Sequence, residues 1–160
     1  MLIRGPAGAG KSQLALKLIQ AAPHGPLAIA RLVADDRVHV LASNGRLIAR
    51  PPAAIAGLLE IRGIGIRRVP YEPMAVISLV VDLDAVPADR MPDAAASVTN
   101  IDGLCLPRLA VAPGCDPFPL VLATLTFSPL SAVAANPNDA VPADQEGHSL
   151  PKTRSHVHAT

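Results

Sequence analysis

The residues that most constrain what this chain can fold into are GPAGAGKS, Gly5–Ser12. They fit the spacing GxxxxGKS/T and stand in the context that gives the spacing its meaning. A short apolar run, Met1–Ile3, precedes them as a strand end, and a helical pattern from Ser12 to about Ala22 follows. Gly5, Gly8 and Gly10 allow the loop Gly5, Pro6, Ala7, Gly8, Ala9, Gly10 to turn its backbone N–H groups inward on phosphate oxygens. The helix N-terminus adds partial positive charge, Lys11 reaches the outer phosphates and Ser12 supplies a hydroxyl to Mg²⁺. The expected ligand is a nucleoside triphosphate or a close polyphosphate relative.

Around this loop the chain reads as strand, loop, helix, strand. Leu14, Ala15, Leu18 and Ile19 share one helical face, and Pro23, Gly25 and Pro26 end the helix. Leu27–Ala34 is expected to return as an apolar strand ending at Asp35 and Asp36. Arg37–Ala42 and Arg46–Ala49 flank Ser43, Asn44 and Gly45, a turn signal that predicts a hairpin. From Ala53 a short apolar helix passes through glycines into a β-rich run, with Glu60 and Arg62 on one side if it is extended. Met74–Leu83, unbroken and aliphatic, suits the centre of a sheet covered on both faces. The fold class expected is α/β with a mixed sheet, one domain over residues 1–130. From about Asn136 the sequence is polar, proline-rich and without apolar period, so residues 136–160 are expected to be a disordered tail.

Composition removes several function classes. A formal charge of +1 over 160 residues gives no electrostatic case for nucleic acid or an anionic membrane. Cys105 and Cys115 have no metal-knuckle spacing and imply a reducing, cytoplasmic setting. The N-terminus lacks the apolar core of a secretory signal, and Pro119 and Pro129 interrupt the uncharged stretch Phe118–Asn136, so neither export nor a membrane span is expected.

Two further groups of residues bear on chemistry. Asp35 and Asp36 close an apolar run where nucleotide-binding folds carry the carboxylate that handles magnesium or activates a nucleophile; a solvated loop pair is the plain alternative. Glu60 and Arg62 stand in the apolar LLEIRGIGI, where burial requires a partner or a task. They form a structural ion pair, or, beside a metal, Glu60 is a magnesium ligand and Arg62 a phosphate contact.

GPAGAGKSQLALKLI from Gly5, RLVADDRV from Arg31 and LLEIRGIGI from Leu58 occur in the order and approximate spacing of the HPr kinase/phosphorylase family, catalytic C-terminal domain. The third motif is the specific one. The likeness covers about Met1–Leu125 and looks most like the short alphaproteobacterial form. The resemblance implies a P-loop kinase-like α/β domain related to phosphoenolpyruvate carboxykinase and assembled as a hexamer. Its members use ATP, and sometimes pyrophosphate, with Mg²⁺ to phosphorylate a serine of the phosphocarrier HPr or its nitrogen-system homologue. It implies Lys11 as catalytic lysine, Ser12 and Glu60 as magnesium ligands, Asp36 as the base that takes the serine proton, Asp35 as its support, and Arg90 in ADRMP as the active-site arginine.

The departures are specific. Family members carry a histidine on a strand just upstream of the loop, and the sequence holds none there, which implies a truncated start or a form that does without it. Pro23–Pro26 is an insertion relative to the long forms. Val111–Asp116 reads VAPGCD in place of a VRPGRN-like segment, which argues against the reverse, phosphorylase reaction. His24 and His39 are expected to be surface residues, and His148, His156 and His158 fall in the tail with no role assigned. Two other functions fit the loop alone: a nucleotide-sensing module that transfers nothing, and a kinase for a small metabolite.

Overall fold

The computed structural model describes residues 1–127 apart from Pro87. The expected tail at 136–160, with His148, His156 and His158, lies outside the described residues.

Strand β1 (Leu2–Arg4) runs into the glycine loop, and helix α1 (Lys11–Ala21) leaves it. The hairpin of β2 (His39–Ser43) and β3 (Arg46–Arg50) turns through Asn44 and Gly45 at φ 48° and 71°, as the AsnGly signal predicts. A second hairpin joins β4 (Leu58–Ile61) to β5 (Gly65–Arg68). Strands β6 (Ala75–Ile77) and β7 (Val80–Asp82) follow, then β8 (Val98–Ile101), β9 (Leu104–Ala110) and helix α2 (Pro117–Thr126).

The main sheet has the order β1-β7-β9-β8. Its first three strands are parallel and β8 is antiparallel, so the sheet is mixed as expected. One face carries Leu79, Val81, Leu83 and Val111 against Leu14 and Leu18 of α1 and Val121 of α2. The opposite face presents Val80 to Leu47, Ala49 and Ile77 of a second sheet, ordered β2-β3-β6. Strand β7 is therefore covered on both sides, which is why its residues are aliphatic without alternation. Among the described residues no helix is long and apolar enough to cross a membrane.

Two strand expectations need correction. Met74–Leu83 is not one strand: the chain breaks pairing at Ser78 and Leu79, with β6 bonded to β3 in one sheet and β7 between β1 and β9 in the other. An unbroken aliphatic run specifies burial but not which neighbour each half takes. Leu27–Ala34 forms no strand at all, only a single parallel bridge between Leu32 and Tyr71. Its apolar side chains are satisfied by packing instead of by a ladder: Leu27 lies on the helix-side core, Leu32 is buried and Val33 packs on the second core, while Ile29 is left 64% exposed.

Candidate functional site

The site is built on the exit of β1. Gly5, Gly8 and Gly10 all have positive φ, at 150°, 84° and 90°. At Gly5 the demand is also steric, since a Cβ there would lie 3.0 Å from Leu83 Cβ and 3.1 Å from its carbonyl oxygen. Gly10 occupies the N-cap of α1 in the left-handed conformation, no side chain caps the helix and its first turn holds no acidic residue. The unpaired amides of that turn and the positive end of the helix thus remain open to an anion. Lys11 folds over the loop, its Nζ donating to the carbonyls of Gly5 at 2.9 Å and Pro6 at 2.8 Å.

The three sequence motifs meet at Asp35. Ser12 Oγ donates to Asp35 Oδ1 at 2.6 Å, and the Glu60 N–H donates to Asp35 Oδ2 at 2.9 Å. One carboxylate thereby ties the start of α1 to the segment after Leu32 and to β4. Asp36 is exposed, and its carboxylate takes no hydrogen bond among the described residues. Lys11, Asp35 and Asp36 line one cleft of about 660 Å³ whose walls are otherwise largely apolar, from Ala15, Leu18 and Ile19 of α1, Ile29–Ala34 and β6.

Several site expectations change in detail. The two aspartates leave an irregular segment rather than a strand end. Glu60 and Arg62 are both exposed, Arg62 sits in the turn after β4, and no ion pair joins them among the described residues. Neither is thus a buried charge needing compensation, because β4 and β5 form a two-stranded ribbon whose β5 strand is exposed throughout. Arg90 lies in the exposed loop between β7 and β8 and makes no hydrogen bond to the loop or to Asp35 among the described residues. His24 and His39 are exposed, as expected.

Sequence reasoning missed a charged cluster beside the loop. Arg4 donates Nε and Nη2 to Asp82 Oδ1 and Oδ2 at 2.6 and 2.7 Å, and Arg108 Nε donates to Asp82 Oδ2 at 2.6 Å. The hydrogen bonds from Arg4, then the one from Arg108, hold the Asp82 carboxyl below the ordinary aspartate range against the opposing effect of its burial. The Asp82 bond also raises the Arg4 guanidinium. A signal was present: one charge in each of three apolar strands. Asp116 was missed too. It caps α2 by accepting from the Phe118 N–H at 3.1 Å, the main reason its carboxyl is depressed, and it receives Lys17 Nζ at 3.2 Å.

The fold and the site together define a mixed α/β domain in which a glycine loop, an ammonium group and two neighbouring carboxylates gather at the C-terminal end of a parallel strand. Residues 1–100 match the family described as HPr Serine kinase C-terminal domain, and the chain belongs to the HPr kinase/phosphorylase family. It is 40% identical over 86 residues to the HPr kinase/phosphorylase of Clostridium tetani, covering 54% of this chain and 25% of that protein. With the HPr kinase/phosphorylase of Limosilactobacillus reuteri it shares 37% identity over 123 residues, covering 69% of this chain and 36% of the relative. The chain thus spans about a quarter to a third of the length of these curated relatives. The structure of the Hpr(Ser) kinase/phosphatase from Coxiella burnetii superposes with a TM-score of 0.59 at 27% identity, covering 77% of this chain and 82% of that one.

Proposed function

We propose that this chain is a P-loop kinase-like domain that transfers a phosphoryl group from ATP, or from pyrophosphate, to a serine hydroxyl of the phosphocarrier HPr or its nitrogen-system homologue. The observation that carries this reading is the convergence of Ser12, Asp35 and the Glu60 main chain next to Lys11 and the glycine loop. A site for phosphoryl transfer needs positioning and charge neutralisation more than covalent chemistry. This arrangement supplies both. The relation to phosphoenolpyruvate carboxykinase, a hexameric assembly and a cytoplasmic setting belong to the same reading.

The ligands here would be oxygens: the Ser12 hydroxyl and the Glu60 carboxylate. That set fits Mg²⁺, which takes one or two carboxylates and completes its shell with water and phosphate oxygens. Among the described residues no three His, Cys, Asp or Glu side chains form a metal-holding group, so water and phosphate oxygens would have to complete the shell. Mg²⁺, when bound, neutralises charge on the transferring group.

The protein's own residues do the rest. Loop amides and the first turn of α1 bind the phosphate oxygens, and the Lys11 ammonium, on a side chain that already reaches the loop carbonyls, turns to the outer phosphate. Asp35 has both oxygens engaged and acts as the strut that holds Ser12 against β4. Asp36, exposed in the same cleft, is the free carboxylate that accepts the serine proton as the Oγ–P bond forms and the bond to the leaving phosphate oxygen breaks. Arg62, beside the metal, is the phosphate contact and Arg90 the active-site arginine that the family resemblance implies, and each would have to swing in from an exposed position. The VAPGCD segment favours the forward direction, since Ala112 and Cys115 stand where a VRPGRN-like segment has arginines.

Purified chain incubated with labelled ATP, Mg²⁺ and HPr is expected to place label on serine. No label on HPr under varied metal and phosphate, with the protein folded, overturns this reading. Label on a small hydroxyl compound would move the assignment to a metabolite kinase, and ATP binding without turnover would move it to a sensing module.

A further inference from the structure

The Arg4–Asp82–Arg108 cluster has no part in the chemistry above, yet its first member adjoins the loop. Arg4 is the last residue of β1 and the residue immediately before Gly5. Its side chain is held by both oxygens of Asp82 in a two-bond fork, and its main-chain carbonyl accepts the Leu83 N–H at 2.9 Å. One step on, Gly5 packs tightly on Leu83, where an added Cβ would lie 3.0 Å from Leu83 Cβ. The entry to the loop is therefore fixed three times by two consecutive residues at the end of β7: by a charge pair, by a main-chain bond and by contact. Arg108 serves the other side of Asp82. It anchors β9 and, through Nη1 to the Ala96 carbonyl at 3.3 Å, the segment before β8, and it does not touch the loop.

We propose that Asp82 is a positioning residue for phosphate binding: acting through Arg4, it sets where Gly5 begins the loop and so where the loop's amides converge. The proposal rests on the phosphoryl-transfer reading, because it concerns the same loop. The physical reason is that a cradle of backbone amides binds phosphate only when its donors share one focus, and a displacement on the order of 1 Å at one end defocuses the set. A bidentate guanidinium–carboxylate fork resists such a displacement better than a single bond, because it fixes angle as well as distance. Arg108 stabilises the same carboxylate but acts on the far strand. The two arginines therefore separate positioning from simple strength of the sheet.

The test compares Arg4→Gln with Arg108→Gln, each of which leaves Asp82 one guanidinium partner. Calorimetric titration with pyrophosphate and with ATP–Mg²⁺, alongside thermal unfolding, gives the readout. Arg4→Gln is expected to weaken binding of both probes by about ten-fold or more. Arg108→Gln is expected to lower the unfolding temperature while leaving both affinities within about two-fold of the parent. Arg4→Lys, which keeps the charge and loses the fork, should recover part of the loss, and Asp82→Asn should follow Arg4→Gln. Equal losses of affinity in Arg4→Gln and Arg108→Gln, or no loss in a folded Arg4→Gln, overturn the proposal. If the parent chain takes up neither probe, the phosphoryl-transfer reading fails first, and that outcome differs from a parent that binds and an Arg4 variant that binds equally well.

Discussion

Asp35 and Asp82 are both aspartates near the glycine loop, and each gathers three segments of chain, yet their partners differ in kind. Asp35 is held by a hydroxyl and a peptide N–H, both neutral. Asp82 is held by two guanidinium groups, with its side chain 15% exposed. Neutral donors can be exchanged for a metal ion or water at little cost, whereas a charged fork and a second guanidinium in a partly buried place cannot. The difference teaches which carboxylate is available for chemistry and which is fixed scaffold. Asp36, with no hydrogen-bond partner among the described residues, stands at the far end of the same scale.

The largest test of that contrast removes the free carboxylate. Asp36→Asn is expected to lower the rate of HPr phosphorylation on the order of a thousand-fold while ATP still binds, as loss of a general base does. A rate within a few-fold of the parent would transfer the role to Asp35. Ser12→Ala and Glu60→Gln come next. Each is expected to raise the Mg²⁺ concentration needed for half-maximal activity by about ten- to a hundred-fold, since each removes one oxygen donor from a small set. An unchanged Mg²⁺ requirement in both would remove the metal from this corner of the site.

Asp82 makes a prediction about stability, beside the loss of phosphate affinity already expected of it. Its folded-state carboxyl lies below the 3.8 of an ordinary aspartate, so its contribution is complete above that value and is lost as pH falls through the folded one. Asp82→Asn is expected to cost about 2 kcal/mol in urea unfolding at neutral pH. The gap between parent and variant should hold through the mildly acidic range and close only below the normal carboxylate range. A gap that closed near neutrality would mean that some other group carries the linkage.

How much of this was legible in the sequence depends on how local each feature is. The loop, α1 and the β2–β3 turn are set by residues within a few positions of each other, and Gly5–Ser12 and Asn44–Gly45 announced them. Asp102–Gly103, at φ 50° and 79°, closes the β8–β9 hairpin by the same chemistry, but Pro107 and Arg108 interrupt the alternation that would have marked its second strand. The pairing of Met74–Leu83 is not local: Ile77 faces Leu47, and Val80 faces Leu2 and Arg108, positions far apart in the chain. The exposure of Glu60 and Arg62 was hidden for a related reason. Isoleucines on both sides suggest burial, but Ile64 and Ile66 are themselves 55% and 63% exposed, on a ribbon that buries Leu59 and leaves β5 exposed throughout. The motifs thus announced which residues meet at Asp35, while the sheet contacts that hold the loop's entry were signalled only by one charge in each of three apolar strands.

A fourth charged pair gives the smallest effect and calibrates the others. Arg31 Nη1 meets Glu72 Oε1 at 2.7 Å, but the two side chains are 49% and 42% exposed, so water competes for both. The main-chain bond beside it, from the Glu72 N–H to the Leu32 carbonyl at 2.7 Å, holds the same segment without any charge. Arg31→Met is therefore expected to cost less than about 1 kcal/mol in urea unfolding and to leave phosphorylation unchanged, with the small loss shrinking as salt is added. Because the segment from Leu32 leads directly to Asp35, a large loss of activity in this variant would mean that the irregular stretch Leu27–Ala34 depends on surface charge for its shape. Burial of Leu32 would then not be enough to present Asp35 to Ser12, and the exchangeable junction at the site would be less well anchored than its two neutral hydrogen bonds imply.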